Sequence, residues 1–197
     1  MNRKFNLDLI RGRLLRDVSE PELEVALAAV AIIIDPEERG GSILMIRRRE
    51  REDDPWSGQI AFPGGRKSRK DRGLSDAAIR EAREEVGIHL NDHLLLGHLP
   101  LVATRSHQMR VLPFVFQLNS HVKVHVNEEV AEAFWVPLTD LERLEVGRRK
   151  VRVEEDVLTV DSYKYEGHVI WGLTFRITNL LLATQSKKRT TAGRLLL

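Results

Sequence analysis

The sequence predicts an α/β sandwich with a mixed β-sheet, and three observations support this fold class. Several short apolar runs have the length and composition of β-strands, and other segments show the helical spacing of apolar residues. The strands and helices do not alternate in strict βαβ order, which favours a mixed sheet over a purely parallel one. With 197 residues, 42% of them hydrophobic, the chain can fill one core well, so we expect a single domain over residues 1–197.

The first half of the chain is predicted to contain two helices and several strands. An amphipathic N-terminal helix is expected at about residues 4–16. A strand buried on both faces is predicted for ALAAVAIIID, a second strand that ends in arginines for ILMIRRR, and a short strand for QIAF. The second helix is expected from about Asp76 to Val86, with Ser75 as its N-cap and Gly87 at its end.

The second half of the chain continues this mixture of strands and helices. Strands are predicted in LLLGHLPLV and MRVLPFVFQL, whereas NEEVAEAFWVPL is typical of a loop, a strand and the start of a helix. A further hairpin is predicted in VRVEEDVLTVDSYKY, and a C-terminal helix packed on the sheet in VIWGLTFRITNLLLA. A basic tail follows at about 184–197, and nothing in its sequence indicates a role.

The composition excludes several classes of function. The 31 Lys and Arg residues nearly balance the 29 Asp and Glu residues, which argues against a dedicated nucleic-acid-binding protein. The chain has no cysteine, so disulfides, thiolate metal sites and a cysteine nucleophile are excluded. No secretory signal or membrane-spanning run is present, and we expect a cytoplasmic protein that binds neither membranes nor nucleic acid.

The second predicted helix carries three glutamates close together, Glu81, Glu84 and Glu85. Residues three or four apart share one strip of a helix, where each pair of like charges costs roughly 0.2–0.5 kcal/mol. Glu84 and Glu85 also lie in the last turn, where the helix dipole disfavours negative charge. The placement of the three carboxylates therefore opposes the stability of the helix that carries them.

Two interpretations account for this cluster. In the first, Arg80 pairs with Glu84 and water screens the remaining charges of an exposed helix face. In the second, a hard divalent cation neutralises the carboxylates, and all-oxygen ligands without cysteine indicate Mg²⁺ or Mn²⁺. Gly64 and Gly65 favour the metal, because glycine allows a sharp turn that presents a carbonyl to a metal or an amide to phosphate.

Residues 65–88 resemble the Nudix box, whose pattern is G-x5-E-x7-R-E-U-x-E-E-x-G-U with U an aliphatic residue. The positions that match by identity are Gly65, Arg80, Glu81, Glu84, Glu85 and Gly87. The interval before Arg80 is one residue longer than the pattern, and the loop acid is Asp71 instead of glutamate. The resemblance implies a Nudix-type α/β/α sandwich with a mixed sheet. It also implies a metal on Glu81, Glu84, Glu85 and the Gly64 carbonyl, with Arg80 orienting the glutamates through Glu84.

The flanking residues are similar to one branch of this family, the coenzyme A pyrophosphatase-like proteins. The similarity lies in DPWSGQIAFPGG before the box and in GHVIWGLTFRITNLLL near the C-terminus, and it extends over about residues 25–183. In this context Arg47, Arg48 and Arg49 are candidate phosphate contacts, although strand-end capping is the alternative, and Gly65 is a further candidate for substrate binding. Trp56 is expected either to stack on an adenine or to pack against the core.

Nudix enzymes commonly supply one further acid from a later loop. Glu129 matches this position, with Glu128 and Glu132 as alternatives, and a solvated loop acid is the other interpretation. Acidic residues Asp53 and Asp54 stand where the branch has another arginine, which argues against coenzyme A itself.

The resemblance implies a Mg²⁺- or Mn²⁺-dependent pyrophosphohydrolase. Its substrate would be a small-molecule nucleoside diphosphate derivative such as coenzyme A or ADP-ribose, and the attacking water would be deprotonated by a glutamate of the box or by Glu129. Three alternatives differ in class: a non-catalytic regulatory module that binds a nucleotide, an isoprenoid diphosphate isomerase, and a charged structural helix. Three mutually repelling acids argue against a purely binding role, and the missing cysteine argues against the isomerase. A homodimer is also open, because many relatives are dimers.

Overall fold

The computed structural model describes residues 6–18, 26–37, 41–51, 56–104, 109–153 and 156–185. The helices are α1 Leu7–Arg11, α2 Leu74–Val86, α3 Leu138–Leu141 and α4 Gly172–Ala183. The strands of the central sheet are β1 Ala28–Asp35, β2 Ser42–Arg48, β3 Ile60–Ala61, β4 Gly64–Arg66, β5 Leu94–His98, β6 Val102–Ala103, β7 Arg110–Gln117 and β8 Val130–Pro137. A smaller antiparallel sheet contains β9 Gly147–Val153, β10 Asp156–Tyr165 and β11 His168–Trp171. None of the described helices combines the length and the hydropathy that a membrane crossing requires.

Strand β1 lies at the centre of the main sheet. It pairs in parallel with β7 along one edge and in antiparallel fashion with β2 and β4 along the other. Strands β1 and β2 pair only at Ile34–Ile43 and Asp35–Ser42 and then separate. Strand β3 pairs with the end of β2 and β4 with the start of β1, so residues 60–66 lie where the two long strands diverge. The backbone amide of Ala31 donates to the carbonyl of Pro63 at 2.7 Å, which fastens this segment to β1.

Helices cover both faces of the central sheet. Side chains alternate along β1, so that Ala29, Ala31 and Ile33 pack against α2, while Ile32 and Ile34 pack against α1 and α4. Burial of each of these isoleucines contributes roughly 1.5–3 kcal/mol. The predicted sandwich with a mixed sheet is therefore confirmed, and so is the prediction that β1 is buried on both faces.

The predicted N-terminal helix at about 4–16 is too long at its C-terminal end. Helix α1 ends at Arg11, and residues 1–5 lie outside the described part of the chain. Leu15 instead exchanges two backbone hydrogen bonds with His98, at 3.0 and 2.9 Å. The segment leaves the helix because its backbone groups are satisfied by the outer edge of β5, a long-range contact that helical spacing does not reveal.

Helix α2 begins earlier than predicted. Its first residue is Leu74 and its N-cap is Gly73, so Ser75 lies inside the helix and does not cap it. The Asp76 carboxylate accepts a hydrogen bond from the backbone amide of Arg72 at 3.1 Å, which satisfies one donor at this end. The predicted end is confirmed, because Gly87 takes the left-handed conformation with φ of 71°.

The C-terminal elements also differ from the prediction. The first part of the expected C-terminal helix forms strand β11, so the predicted hairpin becomes a three-stranded sheet and α4 starts at Gly172. Of the predicted tail, Thr184 and Gln185 are described, and residues 186–197 lie outside the described residues. Gln185 exchanges two hydrogen bonds with Asn6, at 2.9 and 3.1 Å, and so joins the two ends of the described chain. The single domain and the homodimer stay predictions.

Candidate active site

The three glutamates of α2 occupy different environments. One side of the helix packs into the core through Ala78, Ala82 and Val86. The side chain of Glu84 is 54% exposed and that of Glu81 is 17% exposed, whereas Glu85 as a residue is only 3% exposed. A uniformly solvated helix face does not fit these values, because one carboxylate is buried and another is nearly so.

Gly64 holds the buried carboxylate of Glu85. Its backbone N–H donates to Glu85 Oε2 at 2.9 Å, across the space between β4 and α2. The φ angle of Gly64 is 157°, and a Cβ atom there would collide with the carbonyl oxygen of Ala29 and with Val30 on β1. Only glycine therefore fits where β4 enters between the diverging strands and reaches Glu85.

Gly65 lies directly against Glu81. A Cβ atom on Gly65 would collide with the carboxylate oxygen Oε1 of Glu81. The double glycine thus brings the backbone of β4 against two carboxylates of α2, one for each glycine. This close approach is a steric reason for glycine at both positions, in addition to the sharp turn and the accessible carbonyl or amide that the sequence indicated.

Arg80 connects the loop before α2 to the glutamates. Its Nε and Nη2 atoms donate to the two carboxylate oxygens of Asp71 at 3.0 and 3.1 Å. Its Nη1 atom donates to Glu81 at 2.8 Å and to Glu84 at 3.1 Å, and Nη2 also donates to the carbonyl of Arg66 at 3.0 Å. The sequence singled out the Arg80–Glu84 pair, whereas the structure places Asp71 and Glu81 in the same network.

The charges of this network shift several pKa values. The hydrogen bonds from Arg80 lower the pKa of the Asp71 carboxyl to about 2, and the same bonds raise the pKa of Arg80. Burial raises the pKa of Glu85 to about 8, against the opposing hydrogen bond from the Gly64 amide. Burial also raises the pKa of Glu81, although Arg80 favours its charged form. For the buried Glu85 and the partly buried Glu81, the nearby positive charge thus does not offset the cost of burial.

Arg48 and Glu129 lie close enough to the glutamates to act on them. After burial and the Gly64 hydrogen bond, repulsion from Glu81 and Glu129 and attraction to Arg48 are the charge effects that act on the pKa of Glu85. Glu129 also contributes to the raised pKa of Glu81, after burial, the two opposing effects of Arg80, and Glu84. The structure therefore brings Glu129 from the later loop to the C-terminal end of α2.

The loop before β8 is fastened to the end of α2. The amides of His125 and Asn127 donate to the carbonyls of Val86 and Glu85 at 3.0 and 3.1 Å. Asn127 Oδ1 in turn accepts a hydrogen bond from the amide of Glu129 at 2.9 Å. Sequence reasoning missed Asn127, and the one available signal was an asparagine two residues before the acid, typical of a side chain that bonds to the backbone two residues on.

The remaining candidates for substrate binding are spread around this centre. Arg47 lies near the end of β2 and pairs with Glu132 on β8 at 3.3 Å. The guanidinium of Arg49 donates to the carbonyl of Glu128 at 2.7 Å. Trp56 is 45% exposed in the loop between β2 and β3. Asp53 and Asp54 lie outside the described residues.

The donor set around α2 fits a hard divalent cation. The predicted ligand atoms are carboxylate and carbonyl oxygens, and burial raises the pKa values of Glu81 and Glu85, a shift that a bound cation would oppose. In the described parts of the chain, no three acidic or histidine side chains are already arranged as a metal-binding group. The present contacts account for this, because Arg80 holds Glu81 and Glu84 while the Gly64 amide holds Glu85.

Comparisons with known proteins show the family to which the chain is similar. The model of the NUDIX domain matches residues 25–155. A protein from Pectobacterium atrosepticum named uncharacterized Nudix hydrolase NudL is 35% identical over 145 residues, which cover 70% of this chain and 72% of that protein. A protein of the same name from Citrobacter koseri is 34% identical over 180 residues, covering 88% of this chain and 91% of that protein.

One solved structure resembles the whole fold more loosely. A MutT/nudix family protein from Enterococcus faecalis superposes with a TM-score of 0.51 and 15% sequence identity, over 90% of this chain and 66% of that chain. Its likeness supports the fold alone. The match of the domain model and the two relatives decide the family: the chain belongs to the Nudix family and is a Nudix hydrolase.

Proposed function

We propose that this Nudix hydrolase is a divalent-metal-dependent pyrophosphohydrolase that cleaves the diphosphate linkage of a nucleoside diphosphate derivative. The observation that carries the proposal is the buried Glu85, held by the Gly64 amide beside a second half-enclosed carboxylate, Glu81. Buried carboxylates without sufficient counter-charge are expensive unless a cation joins them. Nudix hydrolases generally use divalent metal ions, which agrees with this reading.

Glu81, Glu84, Glu85 and the Gly64 carbonyl are the atoms proposed to hold the metal. The oxygen-only donor set favours Mg²⁺ or Mn²⁺ over softer ions. When bound, the metal would supply positive charge for the anionic diphosphate and would lower the pKa of water. Arg80 is proposed to orient the glutamates, since its bonds to Asp71 keep its guanidinium beside Glu81 and Glu84.

The proton of the attacking water needs an accessible carboxylate. Glu84 and Glu129 have side chains 54% and 47% exposed, so both can meet water and substrate. Glu85 is buried and already bonded to the Gly64 amide, so we propose that it binds the metal and does not exchange protons with water or substrate. We therefore assign proton abstraction to Glu129 or to Glu84, which is also a proposed metal ligand, whereas Glu81 and Glu85 serve as metal ligands only.

The substrate is proposed to enter from the side of the loop between β2 and β3. Arg48 lies near Glu85 and is the arginine best placed to contact a phosphate beside the metal. Trp56 is exposed in the same loop and has the flat apolar surface on which an adenine stacks. Coenzyme A and ADP-ribose both combine a diphosphate with an adenine, and both are proposed substrates.

A substrate panel with defined variants tests the proposal. Purified protein with millimolar Mg²⁺ is expected to hydrolyse some of coenzyme A, ADP-ribose, NADH, diadenosine polyphosphates and nucleoside triphosphates. The variants Glu84→Gln and Glu85→Gln should fold and lose about 10²- to 10⁴-fold in kcat, the range typical of a lost acid–base or metal-holding group. Glu145→Gln is the matched control, because Glu145 is exposed and far along the chain from α2.

Each outcome of the panel has a clear meaning. Full activity in both variants, or no hydrolysis by the wild type on any member, would refute the proposal. Tight binding of a panel member without turnover would instead support the alternative function, a regulatory module that binds a nucleotide.

A further inference from the structure

The backbone of Glu129 is hydrogen-bonded on both sides, its amide to Asn127 and its carbonyl to Arg49. Its amide and its carbonyl are both occupied, and its neighbours Glu128 and Val130 are bonded as well. We infer that Asn127 and Arg49 form a clamp that positions the Glu129 carboxylate over the end of α2, and that both are positioning residues for hydrolysis. This inference rests on the proposed function, since it concerns Glu129, one of the two acids proposed there for proton abstraction.

Asn127, in the loop before β8, is the half of the clamp that is bonded to α2. Its amide donates to the carbonyl of Glu85 at 3.1 Å, which fixes the loop to the helix residue whose carboxylate is buried. Its Oδ1 atom accepts from the Glu129 amide at 2.9 Å, and its carbonyl accepts from the Val130 amide at 3.4 Å. Asn127 therefore links Glu85 to Glu129 through two hydrogen bonds, one made by its backbone amide and the other by its side chain.

Arg49, the residue directly after β2, is the second half of the clamp. Its amide donates to the carbonyl of Glu129 at 2.8 Å and continues the pairing of β2 with β8 beyond the irregularity at Arg47 and Arg48. Its Nε atom donates to the carbonyl of Glu128 at 2.7 Å, and its Nη2 atom donates to the carbonyl of Val130 at 3.4 Å. The guanidinium thus spans Glu129 by grasping the residues on either side of it.

The contacts of Arg49 favour a structural role over phosphate binding. Its guanidinium donates to two backbone carbonyls in a fixed fork, and N–H groups used in this way do not contact a phosphate. Arg51 adds a contact to the acid itself, since its Nη1 atom lies 3.7 Å from the Glu129 carboxylate. The structure therefore assigns Arg49 to the placement of Glu129.

Steady-state kinetics of clamp variants test the inference, with the substrate of the panel that the wild type hydrolyses fastest. Asn127→Ala and Arg49→Lys are expected to lower kcat by about ten- to a hundredfold, the cost of misplacing a reacting group by about 1 Å, and to change KM less than about twofold. Asn127→Ser should recover most of the activity, because its hydroxyl can accept the same amide hydrogen bond. Lysine cannot recover Arg49, because one ammonium group cannot grasp both carbonyls.

A double-mutant cycle supplies the decisive readout. In a Glu129→Gln background, Asn127→Ala should lower kcat no further, because the clamp acts only through the Glu129 carboxylate. Two controls match the substitutions: Asn119→Ala removes another side-chain hydrogen bond of this loop, to the Asp92 carbonyl at 2.8 Å, and Arg148→Lys changes an exposed arginine on β9. Both controls should keep wild-type kcat.

The possible results divide cleanly. Unchanged kcat in Asn127→Ala, a further loss in the Glu129→Gln background, or a raised KM with normal kcat in Arg49→Lys would overturn the clamp. Wild-type activity in Glu129→Gln would overturn it too, while the proposed function stands. Absence of metal-dependent hydrolysis by the wild type refutes the proposed function itself. If Asn127→Ala fails to fold by circular dichroism, Asn127→Ser and Arg49→Lys carry the same comparison.

Discussion

Replacement of Asp71 by asparagine should weaken the folded protein by an amount that depends on pH. The Asp71 side chain is 5% exposed, accepts two hydrogen bonds from Arg80 and accepts a third from the Ser68 amide at 2.7 Å. The Arg80 hydrogen bonds lower its pKa from 3.8 to about 2. At roughly 1.36 kcal/mol per pH unit, this difference corresponds to about 2 kcal/mol of unfolding free energy at neutral pH.

The pH dependence follows from the direction of the shift. Because the folded pKa is depressed, the contribution of Asp71 is complete above its unfolded pKa and is lost as pH falls through the folded value. Urea unfolding should therefore show Asp71→Asn to be about 2 kcal/mol less stable than wild type at pH 7, and this difference should fall to about half near pH 3. In thermal unfolding the loss at pH 7 corresponds to about 4–8 °C for a chain of this size.

A neighbouring carboxylate provides the control. Asp76 pairs with Arg72, whose side chain is 92% exposed, so Asp76→Asn should change the stability by less than about 1 kcal/mol. A loss in Asp71→Asn that equals that of Asp76→Asn, or one that stays constant between pH 7 and pH 3, would show that the Arg80–Asp71 bonds do not hold the loop as described.

Three further predictions concern Gly65 and the buried acid Glu85. Gly65→Ala should lower kcat at least about tenfold, because the added methyl group collides with the Glu81 carboxylate and must displace it; steady-state kinetics with unchanged kcat would contradict this contact. Mg²⁺ at about one hundred times its dissociation constant should stabilise the wild type by about 2.7 kcal/mol in thermal unfolding, and should not stabilise Glu85→Gln. Without Mg²⁺, Glu85→Gln should gain stability relative to wild type as pH rises from about 5 to 8, because burial raises the pKa of Glu85 and the charged form opposes folding; a relative loss in urea unfolding would contradict it.

The parts of the fold that follow local rules could be predicted from the sequence. Strands β1, β2 and β7 coincide with apolar runs, and the end of α2 coincides with Gly87. Hydrophobic content and glycine conformation are properties of short segments, so their pattern is visible without the rest of the chain. The sandwich followed because such segments must cover each other's apolar faces.

The errors arose where distant residues compete for the same backbone groups. Helix α1 stops at Arg11 because Leu15 pairs with His98, and α2 starts before Ser75 although serine is a preferred cap. The local sequence pattern does not indicate the Leu15–His98 pairing or the pairing of β4 with β1. Periodicity describes one element at a time, and these contacts join elements far apart in the sequence.

For the site, the sequence supplied the residue types but not their partners. The carboxylates of α2 could be proposed from their spacing, yet the Gly64–Glu85 bond and the contact of Gly65 with Glu81 depend on the place of β4 beside β1. The Arg80–Asp71 bonds depend on the path of the loop before α2. The commitment of Arg49 to the carbonyls around Glu129 was equally hidden, because three successive arginines look alike until the strand gives each a direction.

The parallel pairing of β1 with β7 has a consequence for the order in which the molecule folds. Residue 28 pairs with residue 111, so the central strand gains one of its two edges only after more than half of the chain has been synthesised. Strand β4, which carries Gly64, is anchored on the other edge of β1, and the loop with Glu129 comes later still. During translation at about 5–20 residues per second, the candidate site therefore cannot be complete before the loop with Glu129 has been made, and a chain stalled before residue 111 would leave the β7 edge of β1 unpaired.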